Sequence, residues 1–318
     1  MAMLLYVIFS MKFIVANGKW KAKDWLVYWF AMIFVYLFRN NGIFIILFTF
    51  PFLAMAVKKV ERIKMIGISL LAIVFGMIFT QVYVQANDIK KGSVAEALSI
   101  PFQQTARYVM EYDITEEEEN TIDKIIAIKD IKENYNPEIV DYVKGKYKQT
   151  TATKDDLKNY FILWFHMFLK HPAVYFEATM NSSYGYYFPN KTENKDSFAQ
   201  FTIDIPEHIN VNHFAIEFMP DTKDNRQAIE RGLYTLRNMP GIGLLFSCGF
   251  YTWGLLVVTF ILWYFGRKRE MTVLVPLYVV ILVCTASPVN AFVRYMQPVM
   301  LTLPFVIAWM LYGVKGKD

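Results

Sequence analysis

The chain has almost no cysteine: two among 318 residues, Cys248 and Cys284, both inside apolar runs. A disulfide framework for the polar middle of the chain is thereby excluded. Two unrelated buried thiols are the simpler reading, although a contact between neighbouring helices would also suit them. Histidine is nearly as scarce, at four residues, and no C-x-x-C or H-E-x-x-H pattern accompanies it. A Gly-rich phosphate loop, a nucleophile elbow and a kinase motif set are all missing, which argues against ATP-driven chemistry. Charge is thin too: Asp, Glu, Lys and Arg make up 19% of the chain, against 55% hydrophobic residues. No internal repeat or low-complexity tract interrupts the pattern.

The apolar residues fall in blocks, as lipid selects. They cover residues 1–15, 25–38, 43–57, 65–85, 241–265, 271–287 and 291–312. Aromatics reach 17%, with seven Trp and twenty Tyr, many at block ends, where amphipathic rings prefer the headgroup layer. Residues 86–240 hold 24 acidic and 18 basic residues, and the remainder 4 acidic and 15 basic. The basic excess lies in short loops between apolar blocks, which points to membrane topology and not to a nucleic-acid partner.

Three regions follow: N-terminal membrane helices (residues 1–85), an extracytoplasmic domain (86–240) and C-terminal membrane helices (241–318). The expected fold is mainly α, a polytopic membrane helix bundle of about seven membrane segments with a mostly helical domain inserted between segments four and five. Lys19, Lys21 and Lys23, the basic run 58–64, Arg267 to Arg269, and Lys315 with Lys317 all fall on the cytoplasmic side if Arg39–Gly42, residues 86–240 and residues 288–294 fall outside. The C-terminus is then cytoplasmic and the location is the cell membrane. Blocks 25–38 and 43–57 are short. At about 1.5 Å per residue they reach only ~22 Å of the ~30 Å hydrocarbon core, so they either span twice or form a re-entrant hairpin. The first block starts at Met1 with its charges after it, unlike a signal peptide. The simplest reading is that helices which normally precede it are absent.

In the middle region, Thr115 with Glu116, Glu117 and Glu118 reads as a capped helix start. Residues 134–145 read as a loop around Pro137, and residues 181–195 as a Tyr-, Asn- and Ser-rich loop. Residues 155–170 read as an interfacial helix lying against the bilayer: two acids at the start, Phe161, Ile162, Trp164, Phe165 and Phe168 within, Lys170-His171-Pro172 at the end. Residues 222–237 read as a further helix.

Candidate chemistry is sparse. Arg39 with Asn40 and Asn41 could hold a lipid phosphate or a sugar; a plain hairpin turn with a snorkelling Arg is the bland alternative. Arg294 beside Tyr295 has the same two readings, functional cation or interfacial anchor. Facing one cavity, the two arginines would make a phosphate clamp. Gln103, Gln104 and Arg107 share a helical turn, with a solvated face as the bland reading. No cofactor is evident. A divalent metal stays open through Glu207, His208, His213 and Glu217, although two His five apart do not share one helical face. Asn181-Ser-Ser and Asn190-Lys-Thr match a glycosylation sequon, a short pattern that arises often by chance.

Several runs stand together: Phe38-Arg39-Asn40-Asn41-Gly42-Ile43, Leu98-Ser99-Ile100-Pro101-Phe102-Gln103-Gln104-Thr105-Ala106-Arg107, Ile131-Lys132-Glu133-Asn134-Tyr135-Asn136-Pro137, Lys170-His171-Pro172, Tyr184-Gly185-Tyr186-Tyr187-Phe188-Pro189 and Asn290-Ala291-Phe292-Val293-Arg294-Tyr295. With them the chain resembles an uncharacterised family of Gram-positive bacterial multi-pass membrane proteins. That family is similar in layout to the GT-C glycosyltransferases, which include the protein mannosyltransferases. The resemblance implies a polyprenyl-phosphate-linked sugar donor and transfer at the outer face. In that class an Asp in the first external loop is the catalytic base. No residue here matches it, so no catalytic residue carries over. The competing expectation is a non-enzymatic envelope protein that binds a cell-wall polymer or protein partner through its exterior domain, at Tyr184 to Phe188. A transporter is disfavoured because the apolar blocks lack paired charges.

Overall fold

The computed structural model describes residues 1–17, 19–39, 41–89, 94–189, 222–287 and 289–315. Among these residues the chain is helical, with no strand and one isolated antiparallel bridge, Ile139 to Val289. Helices α1 (Ala2–Val15), α2 (Ala22–Leu37), α3 (Gly42–Met55) and α4 (Lys59–Ala86) come first. The middle holds α5 (Ser99–Glu111), α6 (Glu116–Asp123), α7 (Ile128–Asn134), α8 (Asp141–Lys144), α9 (Lys154–Lys170), α10 (Pro172–Asn181) and α11 (Lys223–Asn238). The chain ends with α12 (Cys248–Tyr264), α13 (Lys268–Met271), α14 (Val275–Ala286) and α15 (Val293–Lys315).

Helices from both ends of the chain share one apolar core, in which α14 packs on α3 and α1 packs on α15. Close approach is achieved with small residues: a Cβ on Gly76 of α4 would meet the Tyr36 ring of α2 at 2.7 Å. Among the described residues, three helices are long and apolar enough to cross a membrane: Lys59–Ala86, Lys268–Ala286 and Val293–Tyr312. The seven expected from hydropathy blocks reduce to three because turns cut the other blocks short. Apolar α1 and α3 have 14 residues each and α12 has 17, which at about 1.5 Å per residue falls short of the ~30 Å hydrocarbon core. Helix α2 has 16 residues and carries Lys23 and Asp24 in its first turn.

The ends of these helices sort into two sets. Arg269 donates to Asn17 Oδ1 (2.7 Å) and Ala56 O (2.8 Å), which gathers the α1–α2, α3–α4 and α12–α13 connections at one end. At the other end, the α2–α3 turn meets the start of α15, as Arg39 donates to Tyr295 O.

The middle of the chain builds a second apolar core between Ala95 and Tyr175, centred on Phe102, Ile122, Ile125, Val143 and Tyr160. Local sequence sets its helix starts. Thr115 caps α6 in a reciprocal box with Glu118, and Thr153 caps α9 with Asp156. The expected loop at 134–145 narrows to the residues between α7 and α8. Ion pairs tie the surface: Lys170 to Glu118, and Lys144 to both Glu96 (2.9 Å) and Asp141 (2.7 Å). Burial on its own would depress the Lys144 ammonium, but its bonds to Asp141 and Glu96 outweigh that and hold it above its ordinary value.

Candidate functional site

The α2–α3 turn is tight. Gly42 donates to Arg39 O (2.8 Å), and a Cβ at Gly42 would sit 2.0 Å from Val35 O, so only glycine fits. This geometry projects Arg39 toward α15, 256 residues away, where its Nη1 donates to Tyr295 O at 3.0 Å. Its guanidinium lies 5.6 Å from the Tyr295 ring centre. Arg294 approaches the same ring at 4.9 Å and donates from Nη2 to Tyr295 Oη at 3.0 Å. Tyr295 is thus contacted by two cations. Among the described residues neither guanidinium makes an ion pair with a carboxylate.

Two cavities meet at this cluster, sharing Phe38, Arg39 and Tyr295 as a wall. One, of about 600 Å³, is lined by Met3, Leu4, Phe34, Pro298 and Leu301, with Arg294, Gln297 and Thr302 as its polar groups. The Thr302 hydroxyl is buried without a partner. The other, of about 780 Å³, carries Asn41, Glu96 and Ser287 among apolar groups. Glu96 and Ser287 escaped the sequence reading, since nothing in a 3₁₀ turn or at a helix end marks either residue; only the fold brings them to Arg39.

The segment that positions Arg294 is clamped from the middle of the chain. Asn290 N–H donates to Glu138 O (3.0 Å), and Gly185 N–H to Asn290 Oδ1 (2.7 Å). Tyr186 Oη donates to Val289 O (2.8 Å) and accepts from Phe292 N–H (3.2 Å). Thr252 of α12 donates to Tyr186 O (2.6 Å), and Trp253 Nε1 to Tyr187 O (2.8 Å). Ala291 takes a left-handed backbone, φ 55°, within this knot.

Gln103 extends the clamp by one link. Its Nε2 donates to Asn136 O (2.7 Å), in the turn whose Glu138 holds Asn290. Gln104 accepts from Trp164 Nε1 (3.1 Å) and donates to Thr179 Oγ1 (3.1 Å). Both Gln residues are buried, so neither belongs to a solvated face. Arg107 sits between Glu111 (2.8 Å) and Glu177 (2.5 Å). These three line neither cavity; they join helices. Asn41 lines the second cavity, and Asn40 lies outside the described residues.

The Tyr-rich run is turned inward at its centre, where Gly185 and Tyr186 are buried; Tyr184 donates to Glu138 Oε1 (2.8 Å), and Phe188 is exposed. Cys248 and Cys284 are free and buried. Among the described residues no group of three or more His, Cys, Asp or Glu gathers. Glu207, His208, His213 and Glu217, and the sequon at Asn190, lie outside the described residues.

Five of the runs that stood out in the sequence therefore converge on one junction, through Arg39, Gln103, Asn136, Gly185 with Tyr186, and Asn290 with Tyr295. The match to a family model is equally extensive, covering residues 1–317. The chain belongs to DUF6020, a family of unknown function. No curated protein and no solved structure matches it. The junction of this DUF6020 chain brings two guanidiniums to one ring, with Arg39 on the wall shared by both cavities and Arg294 in the lining of the more apolar one.

Proposed function

We propose that this DUF6020 protein is a polytopic membrane protein of GT-C-like layout that binds a polyprenyl-phosphate-linked sugar at the outer face and transfers the sugar there. The observation that carries the reading is the pair of guanidiniums on Tyr295, which itself lies on the wall between two cavities; among the described residues neither has a carboxylate partner. An isoprenoid tail suits the cavity lined by Leu4, Phe34 and Leu301, the phosphate suits the two arginines, and the sugar suits the cavity with Asn41 and Ser287. In the transfer, the acceptor hydroxyl loses its proton to a carboxylate as its oxygen bonds the anomeric carbon. The bond from that carbon to the phosphate oxygen breaks, and the charge left on phosphate falls on Arg39 and Arg294. Glu96 is the carboxylate on the sugar-side wall and takes the proton in this scheme.

In this reading the helices Lys59–Ala86, Lys268–Ala286 and Val293–Tyr312 cross the bilayer, and α1, α2, α3 and α12 pack against them within the bundle. The basic connections gathered by Arg269 face the cytoplasm, and residues 86–240 lie outside. The convergence of three basic connections at one end supports that sidedness.

The test is binding of radiolabelled polyprenyl phosphate to the chain in nanodiscs, followed by release of polyprenyl phosphate from a labelled lipid-linked sugar. Arg39→Ala and Arg294→Ala should each weaken binding by about 10-fold, the worth of one charge-assisted contact of ~1.4 kcal/mol. A double variant that melts normally and binds as well as the parent would overturn the reading.

A further inference from the structure

Helix α9 is apolar on both sides. One face, with Tyr160 and Met167, packs into the middle core. The opposite face carries Phe161, Ile162, Phe165 and Leu169, which are 40–61% exposed. Helix α10 continues this apolar surface with Phe176 (65% exposed) and Met180 (55%). An exposed apolar surface of this extent, interrupted only by His166, marks an interaction site, and nothing among the described residues covers it.

Chain continuity and charge identify the cover. Met180 is six residues from Tyr186, which is buried against the ends of α12 and α14, so it lies within about 20 Å of the membrane-crossing bundle. Just beyond, Phe188 O packs so closely on α12 that a Cβ on Gly249 would stand 2.1 Å from it. The only charges from Phe161 to Met180 are Lys170 and Glu177, each already in an ion pair. At its N-terminal end the stripe gives way to the charged residues Lys154, Asp155 and Lys158, all exposed, and the two long cationic side chains can reach headgroups from there.

We propose that α9 and α10 lie flat in the headgroup layer beside the outer end of α12, with Phe165, Leu169 and Phe176 in the acyl boundary. The surface anchors the middle domain to lipid and fixes its height above the Arg39 turn. It is independent of any phosphate ligand and rests on the proposed placement and sidedness of the helix bundle in a bilayer.

The test uses the full chain in nanodiscs, carrying an environment-sensitive fluorophore on Phe165→Cys, on Phe176→Cys or, as reference, on Glu117→Cys. Glu117 is exposed on α6, which packs behind the buried face of α9. The unsubstituted protein, whose two cysteines are buried, gives the labelling background. With lipids brominated along the acyl chain, the labels at 165 and 176 should be quenched at least about twofold more than the label at 117. A smaller ratio, or disulfide-linked dimers formed through position 165, would overturn the proposal, the second outcome assigning the face to a second copy of the chain.

Discussion

Removing one hydroxyl, in Tyr186→Phe, tests the clamp that positions Arg294. The ring is fully buried, so its apolar contacts survive and the hydrophobic contribution is unchanged. What goes is one oxygen that donates to Val289 O and accepts from Phe292 N–H. Each bond contributes about 1 kcal/mol net, and each buried backbone group left unpaired costs about 1–3 kcal/mol in place of that gain. With partial relaxation the total is about 2–4 kcal/mol. At roughly 2 °C per kcal/mol for a chain of this size, the melting temperature should fall by about 4–8 °C. Tryptophan fluorescence melting in detergent reads this directly, as the chain has seven Trp. Because Phe292 is two residues from Arg294, the variant should also weaken lipid-phosphate binding although it touches no ligand. A melting temperature within about 1 °C of the parent would refute the claim that these bonds hold the segment.

Ala291→Gly should be neutral or stabilise by up to ~1 kcal/mol, whereas Ala291→Val should cost more than ~1 kcal/mol, because φ 55° disfavours a β-branched side chain; thermal melting of both variants decides. Gly249→Ala should lower the yield of folded protein, since the new methyl would meet Phe188 O, and a normal gel-filtration profile and melt would contradict that. Glu118 is a pH handle. Burial raises its pKa, but Lys170 and the Thr115 backbone N–H outweigh burial and hold it below the ordinary value. Its stabilising effect is therefore present above the unfolded carboxylate range and lost as the pH falls through its lowered folded value. Lys170 is raised by Glu118, so its share persists until the pH passes the ordinary lysine value of about 10.4. Glu118→Gln should flatten the acid limb of melting temperature against pH, and an unchanged limb would place the acid sensitivity elsewhere.

Local signals were legible in the sequence. Thr115 with Glu118 and Thr153 with Asp156 are each three residues apart, and both boxes form. Membrane segments were over-read because hydropathy measures a block while crossing depends on helix length: the Arg39–Gly42 turn leaves α2 and α3 at 16 and 14 residues. Gln103 and Gln104 look like surface residues in the sequence because amides usually are, yet their partners Asn136 and Thr179 lie 33 and 75 positions on. Tyr295 between two arginines is likewise a contact across 256 positions that periodicity cannot reveal. Glu96 comes to the second cavity by the same long-range route.

The clamp has a hereditary consequence. Asn290 accepts from the Gly185 backbone through its side-chain oxygen, so a leucine of equal bulk loses that bond. Gln103 is held through a nitrogen that donates to a carbonyl, so a glutamate breaks it despite having the same shape. Across DUF6020 the exchanges tolerated at these two columns should follow the direction of the proton, acceptor at 290 and donor at 103, while size and polarity scales rank them wrongly.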